Sequence, residues 1–244
     1  MGKEVFRVST LDERRNFYNK EFSIKKLRDW FTKNNLRFPQ LCALDAGTET
    51  KIIIDKKLKN NMYYFPFKEL KKQIAKYIPE DIYYDRNLYL NPDKILNNLN
   101  FNERIAQELV FDVDSDNFKC GFHGDGKVCR NCLEKAFRSA VRLKSALRKK
   151  GFMKIEILYS GRGFHVHVLD NKAFYLTNEK RRRLSIKFSK YGIDEWVSNG
   201  DIHLIRMPYS LNSLVSKIVI PLKKNSIKDL FEKSNPKFLK LSST

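Results

Sequence analysis

The stretch ELVFDVDSD at residues 108–116 decides how this chain is read, because apolar and acidic side chains alternate along it. In a β-strand, successive side chains leave on opposite faces. The apolar side chains at the odd positions then point into a core, while Glu108, Asp112, Asp114 and Asp116 point the other way. Two carboxylates at i and i+2 repel each other unless a cation offsets their charge. The stretch therefore predicts either a metal-binding strand or a strand that runs into an acidic, solvated turn.

The composition favours a polyanionic partner, with nucleic acid as the first candidate. Over 244 residues, 48 Lys and Arg stand against 28 Asp and Glu, which gives a formal net charge of +20. No apolar run approaches the length of a membrane span, and no signal peptide is evident. Three of the 4 cysteines lie between residues 120 and 132, which suits a metal clip in a reducing compartment. We expect an intracellular protein, cytosolic or nuclear, with no membrane association.

The hydrophobic pattern predicts one domain over residues 1–244, because no linker divides the chain. It predicts an amphipathic helix over 17–31, a longer helix over 133–147 that Gly151 ends, and strands over 155–159 and 164–169. A helix over 178–188 would expose four basic residues, Lys180, Arg181, Arg182 and Arg183. Strands and helices alternate without a strict βαβ rhythm, so the predicted class is α+β, or mixed α/β.

The spacing Cys120-x2-His123-x5-Cys129-x2-Cys132 predicts a zinc site. Its four side chains are of the type that zinc prefers, and a site with all four positions filled by protein is structural. The alternative is a set of unrelated buried thiols. Cys42, far from this cluster, is most simply a core thiol.

Two further regions carry polar residues. SGRGFHVH at residues 160–167 is a glycine-containing turn between two strands, whose backbone amides and Arg162 could approach an anion. Taken alone, it is a weak signal of a phosphate site. The region 193–212 adds Asp194, Glu195 and Asp201 near an apolar strand. The residues alone do not decide which of these carboxylates joins Asp112 and Asp114.

Together and in this order, the motifs resemble the catalytic (small) subunit of archaeal and eukaryotic DNA primases over about residues 105–222. FDVDSD resembles the family's first acidic motif, which implies that Asp112 and Asp114 bind the metals and that Asp116 does not. SGRGFHVHV is similar to the family's nucleotide-binding hairpin. The resemblance implies a triphosphate-binding group made of Ser160, Arg162, Gly163 and His165.

The region after residue 193 resembles the family pattern D-x11-(R/K)-x-P-x-S without gaps, which implies that Asp194, not Asp201, is the third metal-binding carboxylate. Arg206 then corresponds to a base that contacts the triphosphate, and His203 to a histidine that is frequent in the eukaryotic version. There are two departures. The hairpin is one residue shorter than usual, and Asn212 replaces a nucleotide-contacting histidine, so phosphate affinity is expected to be weaker.

The resemblance implies a primase catalytic fold, with a central mixed sheet flanked by helices and a zinc-binding knob, residues 118–134, inserted after the acidic strand. It implies DNA-directed RNA polymerase activity, in which two Mg²⁺ or Mn²⁺ ions assist the synthesis of short RNA primers on single-stranded DNA. The implied partners are nucleoside triphosphates, an RNA/DNA hybrid and a primase large subunit. The implied compartment is cytoplasmic for an archaeal protein or nuclear for a eukaryotic one.

Two alternatives stay open. One is a primase-polymerase or repair polymerase that extends existing ends with deoxynucleotides, although a zinc knob at this place favours the replicative primase. The other is a non-catalytic, zinc-containing nucleic-acid-binding protein. That second reading accounts for the charge and the cysteines, but it leaves Asp112, Asp114 and Asp194 unexplained.

Overall fold

The computed structural model of the chain describes residues 6–47, 58–59, 62–118, 128–222 and 227–241. The helices are α1 (Leu11–Lys20), α2 (Ile24–Lys33), α3 (Leu70–Tyr77), α4 (Pro92–Asn98), α5 (Arg130–Lys149), α6 (Asn171–Phe174), α7 (Asn178–Phe188), α8 (Glu195–Asn199), α9 (Ile227–Ser234) and α10 (Lys237–Leu241). The strands are β1 (Leu41–Asp45), β2 (Leu58–Lys59), β3 (Met62–Pro66), β4 (Asp81–Asp85), β5 (Asn87–Tyr89), β6 (Arg104–Gln107), β7 (Leu109–Asp114), β8 (Ile155–Tyr159), β9 (Gly163–Val168), β10 (Ile193–Asp194), β11 (Leu204–Arg206), β12 (Leu211–Asn212), β13 (Lys217–Ile218) and β14 (Ile220–Pro221). Interspersed helices and strands confirm the predicted class.

The strands form two larger sheets instead of the expected central one. The first sheet has the order β11-β4-β1-β3-β2 and the second the order β10-β7-β9-β8-β14. The described pairings within both sheets are antiparallel, so the expectation of a mixed sheet is corrected. Alternation along a chain reveals a strand and its buried face, but it does not reveal which strand lies beside it. The single domain over 1–244 stays a prediction.

Strand β7 is the acidic strand of the sequence, and it is packed on both faces. Its odd-numbered residues, Leu109, Phe111 and Val113, are fully buried in a core that the second sheet forms with α5, α7 and α9. On the opposite face, Val110 belongs to a core that also contains side chains of the first sheet. The carboxylates therefore extend from the end of a strand whose body is buried between two hydrophobic cores.

Helix α5 covers one face of the second sheet. Its side chains at Leu133, Ala136, Ala140, Leu143 and Leu147 recur at helical spacing and are fully buried. Each buried leucine contributes about 1.5–3 kcal/mol relative to an exposed one. As expected, the helix ends just before Gly151, whose φ of +84° suits glycine. Within the described ranges, no helix has both the length and the apolarity needed to cross a bilayer.

The hairpin of β8 and β9 forms as expected and sets the register of the acidic strand. β9 lies between β8 and β7 in the second sheet. In that register His165 lies opposite Asp112, and Gly163 lies opposite Asp114. Residues directly opposite in an antiparallel pair have Cβ atoms about 4.5–5.5 Å apart and share a face. The hairpin therefore places its histidine beside the first carboxylate.

Two local predictions are wrong. The expected helix over 17–31 is broken, because Ser23 accepts the backbone N–H of Lys26 and caps a new helix, α2. Arg181, expected on an exposed face, is 1% exposed. Its guanidinium donates to the backbone carbonyls of Gln107 and Glu108 and so ties α7 to the start of β7. A buried arginine can satisfy its donors on carbonyls, which a charge pattern does not reveal.

Candidate active site

A row of polar side chains crosses three strands of the second sheet. Asp112 on β7 lies opposite Asp194 on β10 and opposite His165 on β9. The His165 Nε2 and Asp112 Oδ1 atoms are 3.8 Å apart. Asp114, two residues after Asp112, shares its face of the strand. The structure thus brings together the three carboxylates that the family resemblance implies, with one histidine beside them.

Asp194 reaches this position because a short strand and a helix meet there. It ends β10, and its Oδ1 accepts the backbone N–H of Trp196 at 2.8 Å, which caps α8. Glu195 and Asp201, the other carboxylates of this region, are exposed and lie outside the strand pairing. The geometry therefore places Asp194, and neither of the other two, beside Asp112.

The acidic row is electrostatically unfavourable as it stands. Burial raises the pKa of Asp112, and the neighbouring carboxylates of Asp114 and Asp194 raise it further. Burial also raises the pKa of Asp114, although the charges of Arg162 and Arg206 act in the opposite direction. A half-buried group of like charges is stabilised by any cation that binds to it.

The residues fit a divalent cation by their chemistry. The Oδ1 atom of Asp112 is buried and has no hydrogen-bond partner within the described part of the chain. Oxygen atoms are the ligands that Mg²⁺ prefers, and one or two carboxylates usually bind it together with water and substrate phosphates. In the described ranges, no three His, Cys, Asp or Glu side chains are already grouped around one ion position. Binding of two metal ions therefore stays a prediction, which the carboxylates of Asp112, Asp114 and Asp194 support.

The hairpin turn presses its backbone against the acidic strand. A Cβ atom on Gly163 would lie 2.5 Å from the carbonyl oxygen of Val113 and 3.0 Å from Oδ1 of Asp114, so only glycine fits. The Ser160 hydroxyl accepts the N–H of Gly163 at 3.2 Å. Ser160 and Gly163 therefore lie at the end of β7 where the carboxylates are.

Both predicted phosphate-binding arginines already form an ion pair with an aspartate. Arg162 forms an ion pair with Asp116, the acidic residue that the resemblance removes from the metal site. Arg206 forms an ion pair with Asp81 and donates to the Tyr83 hydroxyl at 3.3 Å. Burial opposes the charged guanidinium, yet Asp81 and Tyr83 raise the pKa of Arg206. Arg206 is therefore a fixed positive charge close to the acidic row.

Asn212 and His203 are placed differently from each other. Asn212 is 1% exposed, and its Nδ2 donates to the Ser160 carbonyl at 2.8 Å, so it braces the hairpin. The His203 Nδ1 lies 3.2 Å from Oδ2 of Asp85, and its ring stacks on Phe101 with ring centroids 4.2 Å apart. The structure therefore brings Asn212 to the hairpin, but it packs His203 against an aromatic core instead of the acidic row.

Half of the predicted zinc site can be located. Cys120 and His123 lie outside the described residues. Cys132 is buried, and its Sγ donates to the Phe118 carbonyl at 2.5 Å. The Sγ of Cys129 accepts the Cys132 N–H at 3.3 Å at the start of α5. Cys129 and Cys132 are therefore close together, and zinc binding stays a prediction.

A buried network behind the acidic row was missed by the sequence reasoning. The His167 Nδ1 lies 2.7 Å from Oε1 of Glu108, and the Tyr84 hydroxyl donates to Oε2 of Glu108 at 2.7 Å. Arg86 donates to the backbone carbonyls of Glu108 and Val197. The sequence did contain one indication of this network. Glu108 and Asp112 are four residues apart, so both carboxylates lie on the same face of the strand.

Comparison with known proteins gives relatives of one kind. A DNA primase small subunit-like protein of Archaeoglobus fulgidus is 33% identical over 249 residues, which cover 88% of this chain and 85% of the relative. The DNA primase small subunit PriS of Thermococcus sibiricus is 31% identical over 187 residues, and that of Pyrococcus horikoshii is 31% identical over 185. Each of these two alignments covers 74% of this chain, and the chain spans about half the length of the PriS relatives, 50% and 49%.

Comparison with models of protein families gives no match. Among solved structures, the polymerase domain of Mycobacterium tuberculosis ligase D in complex with DNA has a similar fold. Its TM-score is 0.51 with 12% sequence identity, and the match covers 96% of this chain and 93% of that one. At this identity the likeness concerns the fold alone. The sequence relatives, together with the order of the acidic strand, the hairpin and Asp194, show that this chain belongs to the DNA primase small-subunit family of nucleotidyltransferases.

Proposed function

We propose that this chain synthesises short RNA primers on single-stranded DNA by template-directed nucleotidyl transfer. The observation that carries the proposal is the cross-strand row in which Asp112 lies between Asp194 and His165. A row of half-buried carboxylates repels itself and is unfavourable for folding alone, which favours a role in binding a cation. Membership of the primase family supplies the reaction class.

Asp112, Asp114 and Asp194 would hold two Mg²⁺ or Mn²⁺ ions. When bound, such ions lower the pKa of an attacking 3′-hydroxyl and offset the charge that develops on the α-phosphate and the leaving pyrophosphate. The contribution of the chain is to hold the carboxylates on neighbouring strands, so that little reorganisation is needed. Asp194 keeps one oxygen in its cap of α8 and has the other for a ligand.

The hairpin and β11 would orient the triphosphate. The Ser160 hydroxyl accepts a hydrogen bond from Gly163 and keeps its own proton for a phosphate oxygen. Burial lowers the pKa of His165, and the charges of His167 and Arg206 lower it further, so a neutral ring would donate one N–H. Arg162 would exchange its ion pair with Asp116 for the nucleotide. Arg206 would contribute its fixed charge from β11.

The nucleic-acid partner follows from charge and family. A formal net charge of +20 favours a polyanion, so we expect binding of single-stranded DNA, and of the RNA/DNA hybrid formed on it, to weaken steeply with salt. A primase large subunit is the expected protein partner. Zinc bound by Cys120, His123, Cys129 and Cys132 would be structural, because protein fills all four positions.

The alternative polymerase reading differs only in the sugar and in the need for a primer. The experiment supplies the pure chain with single-stranded DNA, or with an annealed primer and template, and with either ribo- or deoxyribonucleotides. Primers made without an annealed strand from ribonucleotides support the proposal. Extension of the annealed primer with deoxynucleotides alone would assign the chain to end-extending polymerases. Binding of DNA without synthesis in any arm would favour the non-catalytic reading.

A further inference from the structure

A separate cavity lies at the opposite end of β7 from the carboxylates. It has a volume of about 300 Å³ and is lined by the turn after α2, by residues 84–88, and by α6 with its preceding segment. This is the size at which small-ligand sites begin, and it accommodates a single ring system. Glu108, at its floor, stands four residues before Asp112, the nearest carboxylate of the row, which is about 13 Å along an extended strand. The cavity is therefore distinct from the acidic row.

The walls and mouth of this cavity are aromatic. Phe31, Tyr84 and Phe174 line it, while Phe38 and Tyr175 at its mouth are 47% and 58% exposed. The Phe38 ring stacks on Phe67 with centroids 5.7 Å apart and planes 10° apart, so its orientation is fixed by packing. Exposed rings held at the mouth of a pocket are the surfaces on which unpaired bases stack.

Positive charge accompanies these rings. Arg37 and Lys154 line the cavity and are exposed, and within the described residues neither has an ion-pair partner. The guanidinium of Arg28 lies 5.9 Å from the centre of the Phe38 ring. Cations without an anionic partner beside an aromatic mouth match a phosphate that is joined to a base.

The floor offers hydrogen-bonding groups. Arg86 lines the cavity and is 3% exposed, and its Nε has no hydrogen-bond partner within the described part of the chain. The carboxylate of Glu108 already contacts the Tyr84 hydroxyl and the His167 ring. Arg86 therefore adds a positive charge to the floor, and its bonds to the backbone carbonyls of Glu108 and Val197 hold it in place.

We propose that this cavity binds one unpaired nucleobase with its adjoining phosphate. The ring would stack between Phe38 and Tyr175, and the phosphate would lie between Arg37 and Lys154. The base can belong to a single strand of nucleic acid or to a free nucleotide, since both present the same chemistry. Such a site goes beyond nucleotidyl transfer, because it holds a base far from the acidic row.

The test is photochemical cross-linking with two probes, an oligothymidylate carrying one 5-iodouracil and free 5-iodo-deoxyuridine monophosphate. The intact chain is irradiated with each probe in chelator, so that no nucleotidyl transfer is required, and the modified peptides are identified by mass spectrometry. We expect modification at the peptide that contains Tyr175 or the one that contains Phe38. Cross-linking by the oligonucleotide alone assigns the site to a strand, and cross-linking by the monophosphate alone assigns it to a free nucleotide.

Matched double variants distinguish the effect of losing positive charge at this cavity from the effect of losing the same charge elsewhere on the surface. Arg37→Gln with Lys154→Gln should weaken oligonucleotide binding by about tenfold at low salt, because two phosphate contacts are lost. Lys71→Gln with Lys72→Gln removes the same charge from an exposed face of α3 and should have a much smaller effect. Cross-links confined to other peptides, no cross-link with either probe, or equal weakening by the two double variants would overturn the proposal. Because these residues are exposed, the variants should fold, which their thermal unfolding checks.

Discussion

Asp112 and His165 lie directly opposite each other on β7 and β9, with Oδ1 and Nε2 3.8 Å apart, yet they do not neutralise each other. Burial raises the pKa of the carboxyl group, and burial lowers the pKa of the imidazole. Each shift disfavours the charged form of its own group. The pair therefore contributes little to the stability of the fold. It is suited to bind a cation at the Asp112 carboxylate and a phosphate at the His165 ring.

Asp112→Asn should stabilise the metal-free protein at neutral pH. A carboxyl group with a raised folded-state pKa contributes stability at low pH, and this is lost as the pH rises through that pKa. Removing the charge should therefore increase the free energy of unfolding by about 1 kcal/mol near pH 7, the usual size of such gains. Chemical denaturation in chelator measures it.

The control for this prediction is Asp201→Asn, an exposed carboxylate that should change stability little. Below the ordinary pKa of aspartate, the difference between wild type and Asp112→Asn should vanish. Added Mg²⁺ or Mn²⁺ should stabilise the wild type more than the variant. A loss of stability in Asp112→Asn without metal would contradict the electrostatic account.

Asp194→Asn should reduce nucleotide incorporation more than a hundredfold, about the effect of removing one group that acts in the transition state. Asparagine can still cap α8, so the fold should be preserved. Asp201→Asn, on the loop that follows, should stay within about twofold of wild type because it lies outside the row. Primer extension under identical conditions compares them, and the reverse ranking would show that the wrong carboxylate was chosen.

The sequence was sufficient where a local pattern sets the geometry. Alternation from Leu109 to Asp114 predicts that the odd-numbered side chains of β7 enter a core, although it does not show that Val110 is buried on the other face. Glycines between two apolar strands predict the hairpin. The third carboxylate, Asp194, follows only from the family resemblance, and the structure places it beside Asp112.

The contacts that the sequence did not predict join residues far apart in the chain. The Arg206–Asp81 ion pair and the Glu108–His167 contact depend on how strands of different hairpins are brought together. The division into two antiparallel sheets depends on strand order in the same way. Periodicity is a property of one segment, so it is silent about such pairings.

Asn212→Ala should weaken nucleotide binding more than it slows chemistry. The substitution removes the hydrogen bond to the Ser160 carbonyl, so the hairpin loses a brace at its phosphate-facing turn. We expect KM for the nucleotide to rise several-fold, with a smaller change in kcat, as for a lost binding contact of about 1 kcal/mol. Asn102→Ala, at an exposed position, is the control. A fall in kcat with KM unchanged would place Asn212 in the chemical step instead.

The pure protein should contain about one zinc per chain, as a four-ligand structural site requires. Cys129→Ser should lower the zinc content and the melting temperature, because a ligand at the start of α5 is lost. Cys42→Ala, in a fully buried core position, should keep the zinc. Elemental analysis by mass spectrometry measures the zinc content per chain. Wild-type protein without zinc would contradict the predicted four-ligand site.

The carboxylates of β7 are proposed to hold the divalent ions that primer synthesis requires. The most direct measurement incubates wild-type chain and the variants Asp112→Asn and Asp114→Asn with single-stranded DNA, labelled ribonucleotides and Mg²⁺ or Mn²⁺, beside an annealed primer and template. The account predicts a ladder of oligonucleotides from wild type, at least a thousandfold less (~10³) from each variant, and unchanged DNA binding by all three. A ladder from either variant as strong as that of wild type would contradict it.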